Sequence, residues 1–160
     1  MKDKIIDTLS IIPLAAVLGL DILFRNQFKG GIFLLITGSL LAIFGATVWL
    51  IGKTTLGKNF TILRCPKELV TNGIYSKIRH PMYYGGVVVY VGVALLFKSW
   101  LGLILTVFLV VPMLIYFMKI EEKLLREKYK EKYSAYKEKT ILGLRIRIIG
   151  ASLSSKKRRQ

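Results

Sequence analysis

Apolar residues along this chain collect in four blocks, Ile5 to Phe24, Gly31 to Ile51, Met82 to Phe97 and Trp100 to Met118, and apart from Asp7 and Asp21 the charged residues lie before, between and after them. At about 1.5 Å per residue, roughly 20 helical residues cross a bilayer core. The first two blocks meet that length, the third is about a turn short, and the fourth has modest slack. The pattern predicts an all-α, polytopic membrane protein with four transmembrane helices over about 5–24, 31–51, 82–97 and 100–118. In the second block Gly31, Gly38, Gly45 and Gly52 recur every seven residues, which predicts a seam where another helix approaches closely. Past the fourth block, Met118, Glu122, Leu125, Tyr129, Tyr133 and Tyr136 follow steps of four and three, the signature of one helix face. A C-terminal cytoplasmic amphipathic helix over about 119–139 is therefore expected. Lys119, Lys123, Arg126, Lys130 and Lys137 fall mainly off that face, toward water or lipid phosphate.

Composition agrees: 53% of the 160 residues are hydrophobic and the mean hydropathy is +0.50, more apolar surface than a water-soluble domain covers. The length fits one membrane domain spanning 1–160. The net charge of +16 resolves by position. Lys2 and Lys4 precede the first block, six cations fill the 53–80 connection, and residues 119–160 hold 14 basic and 5 acidic residues, while the other two loops carry few charges. The positive-inside rule then puts the N-terminus, the 53–80 loop and the C-terminus in the cytoplasm. The first block follows two lysines as a signal peptide does, but no small-residue cleavage site followed by a soluble body appears, so it is expected to stay. Asp7 and Asp21 lie near its ends, where they are expected to reach the interface. The tail SLSSKKRRQ (152–160) suits an anionic leaflet. Nucleic acid is not an expected partner, since no recognition motif accompanies the charge. One cysteine, Cys65, and one histidine, His80, exclude an internal disulfide and a His/Cys zinc cluster, and no metal is expected.

The chemistry gathers in NGIYSKIRHPMYYGG, residues 72–86. Pro81 suits the first position of a helix, which has no N–H to lose, and holds His80 extended. Free N–H groups and the positive dipole end then lie beside Arg79 and His80, an anion site. Gly85 and Gly86 permit close approach. Tyr75, Tyr83 and Tyr84 offer faces that attract a cation and stack an aromatic base. The 53–80 connection is long for a simple turn and rich in apolar residues, so it is expected to fold back on the membrane face. Glu122 shares the stripe of Met118 and Leu125, whereas Glu121 points about 100° away. That facing predicts a larger loss of turnover for Glu122→Gln than for Glu121→Gln.

LGKNF (56–60), LVTNGIYSKIRHPMYYGG (69–86) and EEKLLREKYKEKYSAYK (121–137) together resemble the isoprenylcysteine carboxyl methyltransferase family of integral membrane enzymes, which overlaps with the phospholipid methyltransferases. The resemblance covers about residues 50–140. It implies S-adenosylmethionine as cofactor, bound by Leu69, Val70, Gly73, Tyr75, Arg79, His80, Pro81, Tyr83 and Gly85, with Glu121 and Glu122 reaching the reaction. It also implies a lipidic or prenylated acceptor entering from the bilayer. An acceptor carboxylate is ionised already and needs a cation such as Arg79 or Arg126, whereas a lipid amine needs a base, for which Glu122 is the candidate. The chain departs from the family where FG is replaced by Tyr129–Lys130, so the helix is expected to run on there. It departs again where Phe60 replaces a tryptophan and TILGLRIRIIG (140–150) replaces a proline-containing run. Phospholipid amine N-methylation, NADPH-dependent reduction on a related fold, and a noncatalytic membrane adaptor are the alternative functions.

Overall fold

A computed structural model describes residues 15–27, 29–60 and 68–140, and all regular structure in them is helical. Helix α1 covers residues 15–23 and α2 runs Ile32–Leu56, five residues beyond the expected Ile51. Short 3₁₀ turns follow at Gly57–Asn59 and Gly73–Ser76, then α3 at Pro81–Leu96. Helix α4 (Trp100–Leu105) passes through a π turn at Thr106–Val110 into α5 (Val111–Lys139). Pro112, which cannot donate to the helix ladder, lies just beyond the wide turn that absorbs the missing bond. Two helical stretches are long and apolar enough to cross a membrane, Ile32–Asn59 and Trp100–Lys139; α3 is a shorter apolar helix of 16 residues. Phe33 and Phe108 leave 73% and 76% of their surface exposed, a face suited to lipid and not to water.

The strongest helix pair is α2 against α3, and glycine explains it. A methyl group at Gly45 would stand 2.6 Å from the Gly85 carbonyl oxygen and 2.7 Å from the Val89 nitrogen. One at Gly38 would stand 2.6 Å from the Leu96 nitrogen. The reciprocal positions on α3 are Gly85 and Gly92, also seven apart, so the two backbones touch along a double glycine seam. The expected seam is present at Gly38, Gly45 and Gly52, and its partner is this chain's own α3.

Elsewhere Val17 of α1, Tyr90 of α3, and Val110 and Leu114 form an apolar core. Asp21 departs from expectation: it is fully buried, and a side chain at Gly102 would run into its carboxylate. It therefore packs α1 on the start of α4 and does not reach an interface. At the same end the chain after α1 pairs with the α3–α4 turn, Asn26 N–H donating to Phe97 at 2.8 Å and Gln27 N–H to Lys98 at 2.9 Å.

The expected uninterrupted helix over 119–139 breaks at Lys130, whose φ of 43° and ψ of −115° are not helical. The Lys137 ammonium lies 2.9 Å from Glu122, although fifteen residues of straight helix would separate them by roughly 22 Å. The chain therefore folds back at the place where the family sequence carries glycine, and Lys130 takes a conformation that side chains rarely adopt. Leu125, Tyr133 and Tyr136 are buried together, with Leu69 and Tyr129 packed on them. Lys2, Lys4, Asp7, Cys65, most of TILGLRIRIIG and the basic tail lie outside the described residues.

Candidate functional site

The first turn of α3 and the bend in α5 meet at one end of the bundle. Pro81 starts α3, and His80 precedes it with φ −127° and ψ 54°, short of the extended backbone expected there. Arg79 and His80 then face two elements distant in sequence. The Arg79 guanidinium lies 3.1 Å from Glu122 and donates to the Lys137 carbonyl and the Thr140 hydroxyl, each at 3.3 Å. Thr140 Oγ1 donates in turn to the Lys137 carbonyl at 3.1 Å. His80 Nε2 lies 3.4 Å from Glu122 and Nδ1 3.6 Å from Glu121. Tyr136 donates its hydroxyl hydrogen to the Tyr75 carbonyl at 2.7 Å. These contacts clasp the α3 start to both arms of α5.

An imidazole can donate toward two carboxylates only when both nitrogens carry hydrogen. Burial pushes the His80 pKa down, but hydrogen bonds to Glu121 and Glu122 outweigh it and the net shift is upward. The hydrogen bond from His80, joined by Lys137 and Arg79, holds Glu122 down at about 2 against the cost of its burial. A carboxylate so firmly ionised and triply paired is a poor proton acceptor, which removes Glu122 as the base for an amine. Lys137 was expected to face water or phosphate; it lies instead in this clasp.

Beside the clasp lies a cavity of about 630 Å³ between α1, α2, α3 and α5. Its polar end carries Lys53, Tyr75, Arg79, His80, Tyr83 and Glu121, and its apolar depth is walled by residues such as Leu18, Val89, Tyr90 and Leu114. Leu114, Phe117 and Glu121 follow steps of three and four on α5, so the cavity-facing stripe carries Glu121. This reverses the facing expected from the Tyr129–Tyr133–Tyr136 stripe: Glu122 sits on the clasp and Glu121 on the cavity.

Of the other expected cofactor residues, Tyr75, Arg79, His80 and Tyr83 line the cavity, and Tyr83 meets the His80 ring edge-on at 5.6 Å between centroids. Arg79 is there with its charge already answered by Glu122. Gly85 lies in the α2 seam, and it is Gly86 that borders the cavity. Leu69 packs on the Tyr133 cluster, Val70 is half-buried, Gly73 turns with φ 54° beside Thr55, and Pro81 packs over Gly52. Arg126 is exposed and off the cavity. Sequence reasoning missed Trp49, Lys53, Lys137 and Thr140. The spacing of Trp49 and Lys53, one turn apart, was the available signal for the first two.

The phospholipid methyltransferase family model matches residues 26–132. The protein-S-isoprenylcysteine O-methyltransferase of Saccharomyces cerevisiae is 33% identical over 114 residues, 68% of this chain and 48% of that protein. The enzyme of the same name from Dictyostelium discoideum is 43% identical over 53 residues, 30% of this chain and 22% of its own. The chain thus spans about half the yeast relative's length or less. No solved structure matches it. With its two long apolar helices, this similarity makes it a membrane protein. The matched stretch takes in the glycine seam, Arg79, His80 and Glu122 of the clasp, and most of the cavity wall: the chain belongs to the phospholipid methyltransferase family.

Proposed function

We propose that this chain is an S-adenosylmethionine-dependent membrane methyltransferase that esterifies the carboxylate of an isoprenylcysteine-type lipid. The observation that carries the reading is the cavity, apolar in depth and charged at one end, with His80 and Glu121 in its wall. About 630 Å³ falls within the roughly 300–1,000 Å³ of small-molecule sites. Trp49, Tyr75 and Tyr83 supply aromatic faces for a base or a cationic centre, and Lys53 and His80 supply donors for a carboxylate, so the residues present fit the cofactor. When bound, it supplies an electrophilic methyl group. The chain's own residues hold the reactants in line and exclude water. Leu18, Val89 and Leu114 accept an apolar tail, and Glu121, held beside His80, offers an anion to the cationic centre of the cofactor.

The paired Glu122 is unsuited to be the base that an amine acceptor would need. Four transmembrane helices with both termini cytoplasmic complete the proposed topology. The pairing of the two poorly charged loops at one end, opposite the clasp, supports it.

The test is calorimetric titration of detergent-purified protein with S-adenosylmethionine and S-adenosylhomocysteine, with NADPH as control. Micromolar binding of the first two, lost in His80→Ala, is expected. Binding of NADPH alone would move the chain to the reductases, and no binding of any of the three would leave the adaptor.

A further inference from the structure

Three basic side chains line the cavity: Lys53, Arg79 and His80. Arg79 is committed to Glu122 and the end of α5, and His80 to the two glutamates. Lys53 differs. Its ammonium stands 5.0 Å from the Trp49 ring centre and 5.8 Å from that of Phe60, and it has no carboxylate partner among the described residues. Trp49 lies one turn back on α2. Phe60 returns over the lysine because Gly57, with φ 52°, ends the helix and turns the chain. Ring faces orient an ammonium without neutralising it, and its N–H donors stay available.

Resting on the function proposed above, we infer that Lys53, held by Trp49 and Phe60, is the anchor for an organic carboxylate at the mouth of the cavity. The apolar walls at Ala46 and Val89 continue from it along α2 and α3, so an amphiphilic acid seats its head on Lys53 and its tail in the depth. The carboxylate belongs either to the prenylated cysteine acceptor or to the amino-acid end of the cofactor. Both present the same chemistry to the ammonium.

Trp49 and Trp100 are the two tryptophans, so a Trp100→Phe background leaves Trp49 as a fluorescent reporter beside Lys53. S-farnesyl-N-acetylcysteine, its carboxamide and S-adenosylhomocysteine are titrated into that protein and into its Lys53→Met and Lys53→Arg variants. The expected result is at least tenfold weaker binding of one carboxylate by Lys53→Met, restored by Lys53→Arg, with the carboxamide unchanged. Loss confined to the farnesyl acid assigns the acceptor; loss confined to S-adenosylhomocysteine assigns the cofactor. Unchanged binding of both acids by Lys53→Met, or equal loss of the carboxamide, overturns the inference and leaves the methyltransferase reading standing. Failure of the Lys53-containing protein to bind any of the three overturns both.

Discussion

The α2–α3 seam and the clasp at the start of α3 hold the same helix by opposite physics. The seam is backbone against backbone, with glycines on both sides and no charge. The clasp joins Arg79, His80, Glu122, Lys137 and Thr140 across three segments. A seam of this kind tolerates no added volume but ignores pH and salt, whereas a clasp tolerates volume and responds to both. The tight seam fixes α3, and the titratable clasp holds the bent arm of α5 against the start of α3.

The largest expected effect comes from adding volume to the seam. Gly45→Leu meets backbone atoms that cannot step aside and should cost about 3 kcal/mol or more, read as loss of a cooperative melt in detergent. A normal melt would show that the seam yields.

Next, Glu122→Gln leaves the nearly buried Arg79, 7% exposed, with a weaker partner. It should lower stability by about 2 kcal/mol while leaving cofactor affinity nearly intact. Glu121→Gln should do the reverse, melting normally and losing at least tenfold in turnover, about 1.4 kcal/mol of barrier. Equal melting points and equal rates for the two would erase the distinction between clasp and cavity.

Proton linkage separates the regions further. Glu122 is depressed from its ordinary 4.5 to about 2, so its contribution is full above pH 4.5 and is lost as pH falls toward 2. The His80 pKa is raised from 6.5, so its contribution is full below 6.5 and is lost as pH rises through the higher folded value. Stability should therefore peak between these limits, and Glu122→Gln should flatten the acid limb. An unchanged acid limb in that variant would place the titration elsewhere.

The smallest effect is at the bend. Lys130→Gly relieves a backbone conformation worth about 1–3 kcal/mol of strain, and after glycine's own entropy cost it should raise stability by about 1 kcal/mol. A destabilised variant would mean that the Lys130 side chain matters more than its φ.

The seam could be read in the sequence because glycines every seven residues leave a periodic mark, and Pro81 marked the start of α3 by its missing N–H. The clasp left no such mark, since the contacts between its segments join residues 15 to 61 apart and ordinary lysines and threonines carry no spacing signal. Periodicity gave the buried stripe of Leu125, Tyr133 and Tyr136, yet it could not say which stripe of α5 faces the cavity, because that depends on how α5 packs against three other helices. The bend at Lys130 was hidden for a simpler reason: the residue that usually announces a positive φ is absent.

On the function proposed above, the charged end of this cavity positions a carboxylate for methylation. Purified protein in lipid nanodiscs, given S-adenosylmethionine labelled in its methyl group and S-farnesyl-N-acetylcysteine, tests it directly. Label should be recovered as a base-labile methyl ester, at a rate reduced at least tenfold in Glu121→Gln. Label appearing instead on the amine of phosphatidylethanolamine, or no transfer by a protein that binds the cofactor, would contradict it.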